Sequence, residues 1–212
     1  MVRLNLTAFL EFFDILGTAA FAVSGATVAI KKRFDVFGVL FLSSITAIGG
    51  GMMRDIILGN TPPIALTHPR NLTIALAVGL LVFLWGGKSA WRGESVIAYS
   101  DALGLGVFTA IGASMACSLP ERNVFLAAMT GMLTGVGGGM LRDILAGEIP
   151  FVLRRQVYAT ASLAGAVVYY LTSARFGEVA SSYACFLLTT GIRILTLRLR
   201  LHMPRADARR RR

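Results

Sequence analysis

The 212-residue chain is 55% hydrophobic and only 15% charged, with a mean hydropathy of +0.68, whereas a soluble domain runs near 45–50% apolar and about 25% charged. Lipid rather than water is its main solvent. The net charge of +10 is concentrated, because seven of the 21 Lys and Arg lie between Arg198 and Arg212. They form a basic tail suited to anionic lipid, and no nucleic-acid partner is expected. Cys117 and Cys185 sit inside apolar runs, and His68 and His202 stand far apart. Neither a disulfide framework, a structural metal site nor a cofactor is expected.

A membrane helix needs about 17–25 mostly apolar residues, and seven such spans are predicted, at about 9–30, 36–58, 71–87, 99–118, 124–146, 157–174 and 179–199. Short connections carry the charges between them, among them Lys31-Lys32-Arg33, the turn with Pro62 and Pro63, and Arg175 to Glu178. The first span is expected to stay in the mature protein, since Glu11 and Asp14 precede its apolar run where a cleaved signal would be positive. The seventh is interrupted by Arg193, which is expected to snorkel to the interface. Trp85, Trp91, Tyr169 and Tyr170 fall near span ends and suit interfacial belts. The pattern predicts an all-α membrane protein with one domain over 1–199 and a basic cytoplasmic tail over 200–212.

Short loops rich in Lys and Arg stay cytoplasmic. With the N-terminus outside, the inside segments hold fourteen such residues (Lys31, Lys32, Arg33, Lys88, Arg92, Arg154, Arg155 and the tail) and the outside segments four (Arg3, Arg70, Arg122, Arg175). The expectation is a multi-pass inner-membrane protein with its N-terminus out and its C-terminus in.

The chain repeats itself. Gly49-Gly50-Gly51-Met52-Met53-Arg54-Asp55-Ile56 returns 88 residues later as Gly137-Gly138-Gly139-Met140-Leu141-Arg142-Asp143-Ile144, and Asp14, Gly17 and Gly25 return 87 residues later as Asp101, Gly104 and Gly112. Spans one to three (about 9–87) and four to six (about 99–174) are thus two copies of one unit, with span seven (about 179–199) outside the repeat. Three crossings per unit start the second copy from the opposite side, so the 3+3 repeat is expected to be inverted.

Three consecutive glycines disfavour a helix by about 1 kcal/mol each relative to alanine. Spans two and five are therefore expected to bend or break at Gly49–Gly51 and Gly137–Gly139. Paired breaks in inverted repeats mark a substrate or ion pathway; the alternative is that the glycines allow close helix packing. Replacing Gly138 by leucine is expected to clog the route and leave assembly intact.

Arg54-Asp55 and Arg142-Asp143 lie about a turn past the triplets. Neighbours on a helix point about 100° apart, so each of these residues is expected to find a partner on another helix, as a brace or at a pore mouth. Asp14 and Asp101 sit near the start of their spans, either capping helices or attracting cations at the two mouths. Ser44, Thr46, Thr130 and Thr134 are candidate pore hydroxyls, able to replace part of an ion's hydration shell, though such groups also bond their own helix carbonyls. Phosphate loops, nucleophile elbows and zinc-protease motifs are missing from the sequence, and an enzyme is not expected.

The three-plus-three repeat with paired Gly-Gly-Gly-Met-x-Arg-Asp segments, over about 9–199, resembles prokaryotic members of the trimeric intracellular cation channel family, some of which carry a glycine-transporter label. The resemblance implies a homotrimer with one pore per subunit, lined by spans two and five bent at their glycines, conducting K+ and Na+ passively as transient occupants. Lysine-based lipid gating known in animal relatives does not transfer, because the chain has no lysine after Lys88. The alternative is a secondary transporter for a small zwitterion such as glycine, its carboxylate held at a broken-helix N-terminus.

Overall fold

The computed structural model describes residues 2–85, 93–154 and 157–199, with side chains over 11–85, 93–153 and 157–199. Lys88, Trp91, Arg92, Arg155, His202 and the tail lie outside these residues. Eight helices are present among them: α1 (Val2–Lys31), α2 (Val36–Ile57), α3 (Ile64–Thr67), α4 (Arg70–Trp85), α5 (Glu94–Cys117), α6 (Val124–Leu145), α7 (Phe151–Arg154) and α8 (Val157–Arg198). Five of them (α1, α2, α5, α6 and α8) are long and apolar enough to cross a membrane, and α4 is a shorter apolar helix.

Helix starts and stops follow local chemistry. Asp35 and Asn123, 88 residues apart, cap α2 and α6: Gly38 N–H donates to Asp35 Oδ1 at 2.8 Å and Leu126 N–H to Asn123 Oδ1 at 2.8 Å. Both helices end on a glycine with positive φ, Gly59 at 76° and Gly147 at 69°. There Asn60 N–H reaches back to the Asp55 carbonyl, and Glu148 N–H to the Asp143 carbonyl. These are Schellman-type stops, in which glycine enters the left-handed region without Cβ strain.

The 42 residues of α8 would extend about 63 Å if straight, twice the hydrocarbon thickness. Gly177 (φ 79°, ψ 174°) kinks the element instead. Its two arms pack side by side: Thr189 Oγ1 donates to the Ala161 carbonyl at 3.4 Å, and the Gly165 backbone faces Thr189 and Cys185. The connection expected over 175–178 is thus a single hinge residue.

The core is built from small side chains, including Ala22, Ala26, Ala29, Ala110, Ala113 and Ala166, interleaved with Phe21, Leu42 and Leu105. The larger apolar side chains Phe12, Phe37, Phe125, Leu171 and Leu187 point outward. Small residues inside and bulky ones outside suit helices that pack within lipid, where the tails are as apolar as leucine and close backbone approach supplies the attraction. Tyr169 is fully buried among Ala110, Ala113 and Cys185 and does not belong to an interfacial belt, whereas Trp85 is exposed.

Connections alternate between the two ends of the bundle. At one, the Lys31 end, Lys31 pairs with Glu94 at 3.2 Å and Lys32 with Glu148. At the other, the Arg70 end, Arg70 pairs with Asp14, and Ser114 Oγ donates to Glu178 at 2.8 Å.

Candidate functional site

The glycine triplets lie where α2 and α6 cross. Helical hydrogen bonding runs unbroken through Gly49–Gly51 and Gly137–Gly139, so the expected breaks do not occur. Close approach explains the glycines instead. A Cβ on Gly50 would fall well inside 3.0 Å of the Thr134 carbonyl oxygen, and one on Gly138 equally close to the Thr46 carbonyl oxygen. The contact is reciprocal: Gly50 and Gly138 are 88 residues apart, as are Thr46 and Thr134. The third glycine of each triplet differs. A Cβ at Gly51 or Gly139 would stand 3.6 or 3.7 Å from Nη2 of Arg54 or Arg142. The triplet therefore joins a backbone crossing to a charged group one turn on.

Each arginine turns back onto its neighbour. Arg54 Nε and Nη2 donate to Asp55 Oδ1 at 2.9 and 2.8 Å, and Arg142 Nε and Nη2 to Asp143 Oδ1 at 2.9 and 2.7 Å. The expectation that Arg and Asp would not meet fails because the arginine stem is long enough to cover about 100° of helix surface. The second carboxylate oxygen leaves the helix: Asp55 Oδ2 accepts from Ile64 N–H at 2.9 Å and Asp143 Oδ2 from Phe151 N–H at 2.8 Å. In both halves the Arg-Asp pair thereby fastens the N-terminus of the following short helix, α3 or α7.

At the Lys31 end the remaining arginine edge is used as well. Arg142 Nη1 donates to Asp101 Oδ1 on α5 and to Ser24 Oγ on α1, each at 2.5 Å. Arg142 is 1% exposed, so this is a buried cluster of three charges. Arg193, also buried, adds a fourth, its guanidinium lying 4.7 Å from the Tyr158 ring centroid. Two cations and two carboxylates balance inside the bundle, where a lone charge would cost several kcal/mol. The expected role of Arg193 as a snorkelling interfacial residue is thus replaced by a core contact.

The Arg70 end is open. A cavity of about 580 Å³ is lined by Glu11, Asp14, Gly51, Arg54, Asp55, His68, Arg70, Asn71 and Ser114, with Ala47, Ile48, Ile64, Phe108 and Ile111 among its apolar walls. Asp14 does not pair with Arg54 here. Its Oδ2 accepts from Arg70 Nη2 at 2.8 Å and Asn71 Nδ2 at 2.7 Å, and Glu11 lies 3.7 Å from Arg70. Neither aspartate caps a helix start, since α1 begins at Val2 and α5 at Glu94.

Of the candidate hydroxyls, Ser44 donates to the Leu40 carbonyl at 2.8 Å, Thr46 to Leu42 at 2.6 Å, and Thr134 to Thr130 at 2.6 Å. Thr46 and Thr134 are fully buried. Their Oγ1 atoms lie against Gly25 and Gly112, in the α1–α2 and α5–α6 crossings. Ser24, Arg70, Asn71 and Tyr158 also belong to the charged clusters, the last three without a sequence motif that singles them out as site residues. Aligning the short helices at an offset of 87, Ile64 with Phe151, would have brought the last three forward.

The sequence profile described as Glycine transporter matches residues 11–86 and again 98–174, one match per repeat. A UPF0126 membrane protein of Deinococcus radiodurans is 40% identical over 200 residues, covering 92% of this chain and 91% of that one. The inner membrane protein YadS of Escherichia coli K12 is 38% identical, covering 91% and 94%. Among solved structures, a prokaryotic TRIC channel determined in 0.5 M KCl superposes with a TM-score of 0.87 at 34% identity, covering 93% of this chain and all of that one. A TRIC orthologue from Rhodobacter sphaeroides gives 0.83 at 32% identity, over 91% and 98%. A channel and transporter fold of this kind is not an enzyme. With its doubled glycine-arginine-aspartate unit, its hinge at Gly177 and these likenesses, the chain belongs to the Glycine transporter family as a prokaryotic member of the TRIC, or trimeric intracellular cation, channel family.

Proposed function

We propose that the protein is a passive monovalent cation channel, conducting K+ and Na+ through one pore per subunit of a homotrimer in the inner membrane. The observation that carries this reading is the cavity at the Arg70 end. It reaches Gly51 at the α2–α6 crossing and is bordered by three carboxylates against two arginines, a net negative mouth that concentrates cations and repels anions. Likeness to solved cation channels over nearly the whole chain supports it. Charge counting favours the Arg70 end as outside and the Lys31 end as cytoplasmic, with seven crossings once the α8 arms are counted separately. The reciprocal α2–α6 contacts favour an inverted repeat.

On this reading the conformer is shut on its cytoplasmic side. Beyond the crossing, the route meets the Asp101–Arg142–Asp143 cluster, and conduction requires α2 and α6 to part by bending at Gly49–Gly51 and Gly137–Gly139. Ser44, Thr46, Thr130 and Thr134 would contact ions only in that parted state. Anionic lipid at the cytoplasmic face suits the basic tail. The zwitterion-transporter alternative loses the broken-helix N-terminus it needed, because both triplets are continuous helix.

The test is single-channel recording of purified protein in planar bilayers under K+ or Na+ gradients. Unitary cation currents are expected. Their absence, together with saturable, ion-coupled glycine uptake into proteoliposomes, would replace the channel with the transporter.

A further inference from the structure

We propose that Arg70 is a positioning residue that keeps the outer mouth open by holding the Asp14 carboxylate away from Arg54, and that its absence from the second repeat is what leaves the inner mouth latched. The inference rests on the cation pathway above and concerns its regulation.

The two halves match closely enough to be compared position by position around their arginines. The short helices α3 and α7 begin 87 residues apart, as do α4 and α8, so Asn71 corresponds to Tyr158, Arg70 to Val157, and Asp14 to Asp101. In the second half the space beside Gly139 is full. A Cβ there would meet Tyr158 Oη at 3.1 Å, Asp101 Oδ1 at 3.4 Å and Arg142 Nη2 at 3.7 Å. Among the described residues, the space beside Gly51 in the first half borders only Arg54 within 4 Å, and it opens into the cavity. The volume that Asp101 and Tyr158 occupy in one half is thus part of the vestibule in the other.

Arg54 is prepared for the missing partner. Its Nε and Nη2 are fixed on Asp55, and Nη1 has no hydrogen-bond acceptor among the described residues, although the side chain is only 8% exposed and lines the cavity. The equivalent Nη1 of Arg142 carries the Asp101 carboxylate. A buried guanidinium edge facing an apolar-walled cavity attracts a carboxylate strongly, and Asp14 lines the same cavity. What holds Asp14 back is the Arg70 Nη2 and Asn71 Nδ2 pair on its Oδ2. Val157, at the place of Arg70, offers Asp101 no rival cation. One cationic side chain, present in one repeat and absent from the other, decides which carboxylate closes its mouth.

Cation efflux from proteoliposomes and thiol accessibility test this together. The Arg70 side chain is 47% exposed, so Arg70→Val should fold. It is expected to cut flux about tenfold, the change that follows when the open mouth is disfavoured by about 1.4 kcal/mol. Arg70→Lys should retain at least about half the flux by keeping the charge. Arg70→Val/Asp14→Asn should conduct at least about threefold better than Arg70→Val, because no carboxylate remains to latch onto Arg54. A merely structural role for Arg70 would leave the double variant as poor as the single. Independently of conduction, Gly51→Cys in a Cys117→Ser background should react with a charged methanethiosulfonate. Adding Arg70→Val should slow that reaction about tenfold, and adding Asp14→Asn should restore it. Wild-type flux and unchanged thiol labelling at position 51 in Arg70→Val, or a loss that Asp14→Asn does not relieve, would overturn the inference. A wild-type protein without cation flux but with these labelling changes would overturn the channel reading and leave the positioning role standing.

Discussion

Alanine at Gly138 and at Gly51 should move stability in opposite directions, although both positions belong to matching triplets. Helix propensity alone favours alanine by up to about 1 kcal/mol at either. At Gly51 the new methyl meets only the flexible Arg54 side chain, 3.6 Å away, so that gain is kept. At Gly138 it collides with the Thr46 carbonyl, which is backbone and cannot swing aside. Thr46 itself is fixed by its bond to the Leu42 carbonyl and by contact with Gly25 of α1. α6 must then back away from α2 by the better part of an ångström, an overpacking cost of about 1–3 kcal/mol. The propensity gain is common to both, so the two variants should differ by that overpacking cost, about 1–3 kcal/mol, which at roughly 2–4 °C per kcal/mol for a chain of this size is a gap of at least about 2 °C. Thermal denaturation of detergent-purified protein followed by size-exclusion recovery measures it. Gly50→Ala should behave as Gly138→Ala, by the reciprocity of the crossing. Equal melting temperatures for Gly51→Ala and Gly138→Ala would refute the view that the crossing is held by backbone contact. The same geometry revises the expectation for leucine at Gly138, which should impair assembly as well as flux.

Asp101→Asn removes one carboxylate from the Arg142 cluster and should destabilise the fold by about 3–5 kcal/mol, the usual cost of breaking a buried ion pair. Chemical denaturation reads that cost, while any surviving protein should conduct more, not less, as the inner latch is released. Gly177→Ala has open space around its new Cβ yet must hold a positive φ, so a penalty of roughly 1–2 kcal/mol is expected from backbone strain alone; an unchanged melting temperature would show that the hinge relaxes freely. Asp55→Asn loses charge at the acceptor shared by Arg54 and the Ile64 amide. Increased proteolytic cleavage between residues 58 and 69, without loss of the assembled protein, is the expected readout.

Much of the protein was legible in one dimension. Apolar run length located the long helices and α4, though not the four-residue helices α3 and α7, because a membrane crossing is set by rise per residue and hydrocarbon thickness. The caps at Asp35 and Asn123 and the stops at Gly59 and Gly147 act within a few residues and so leave local signatures. The doubled motif revealed two related units directly. Partner choice was not legible. Arg142 finds Asp101, 41 positions away, and Ser24, 118 positions away, and no local pattern encodes such pairs. The glycine triplets admit both a break and a tight crossing by propensity alone; only the carbonyl of the opposing helix decides between them. The asymmetry of the two mouths likewise depends on where Arg70 and Val157 stand relative to a carboxylate on another helix, a distance that exists only once the helices have packed.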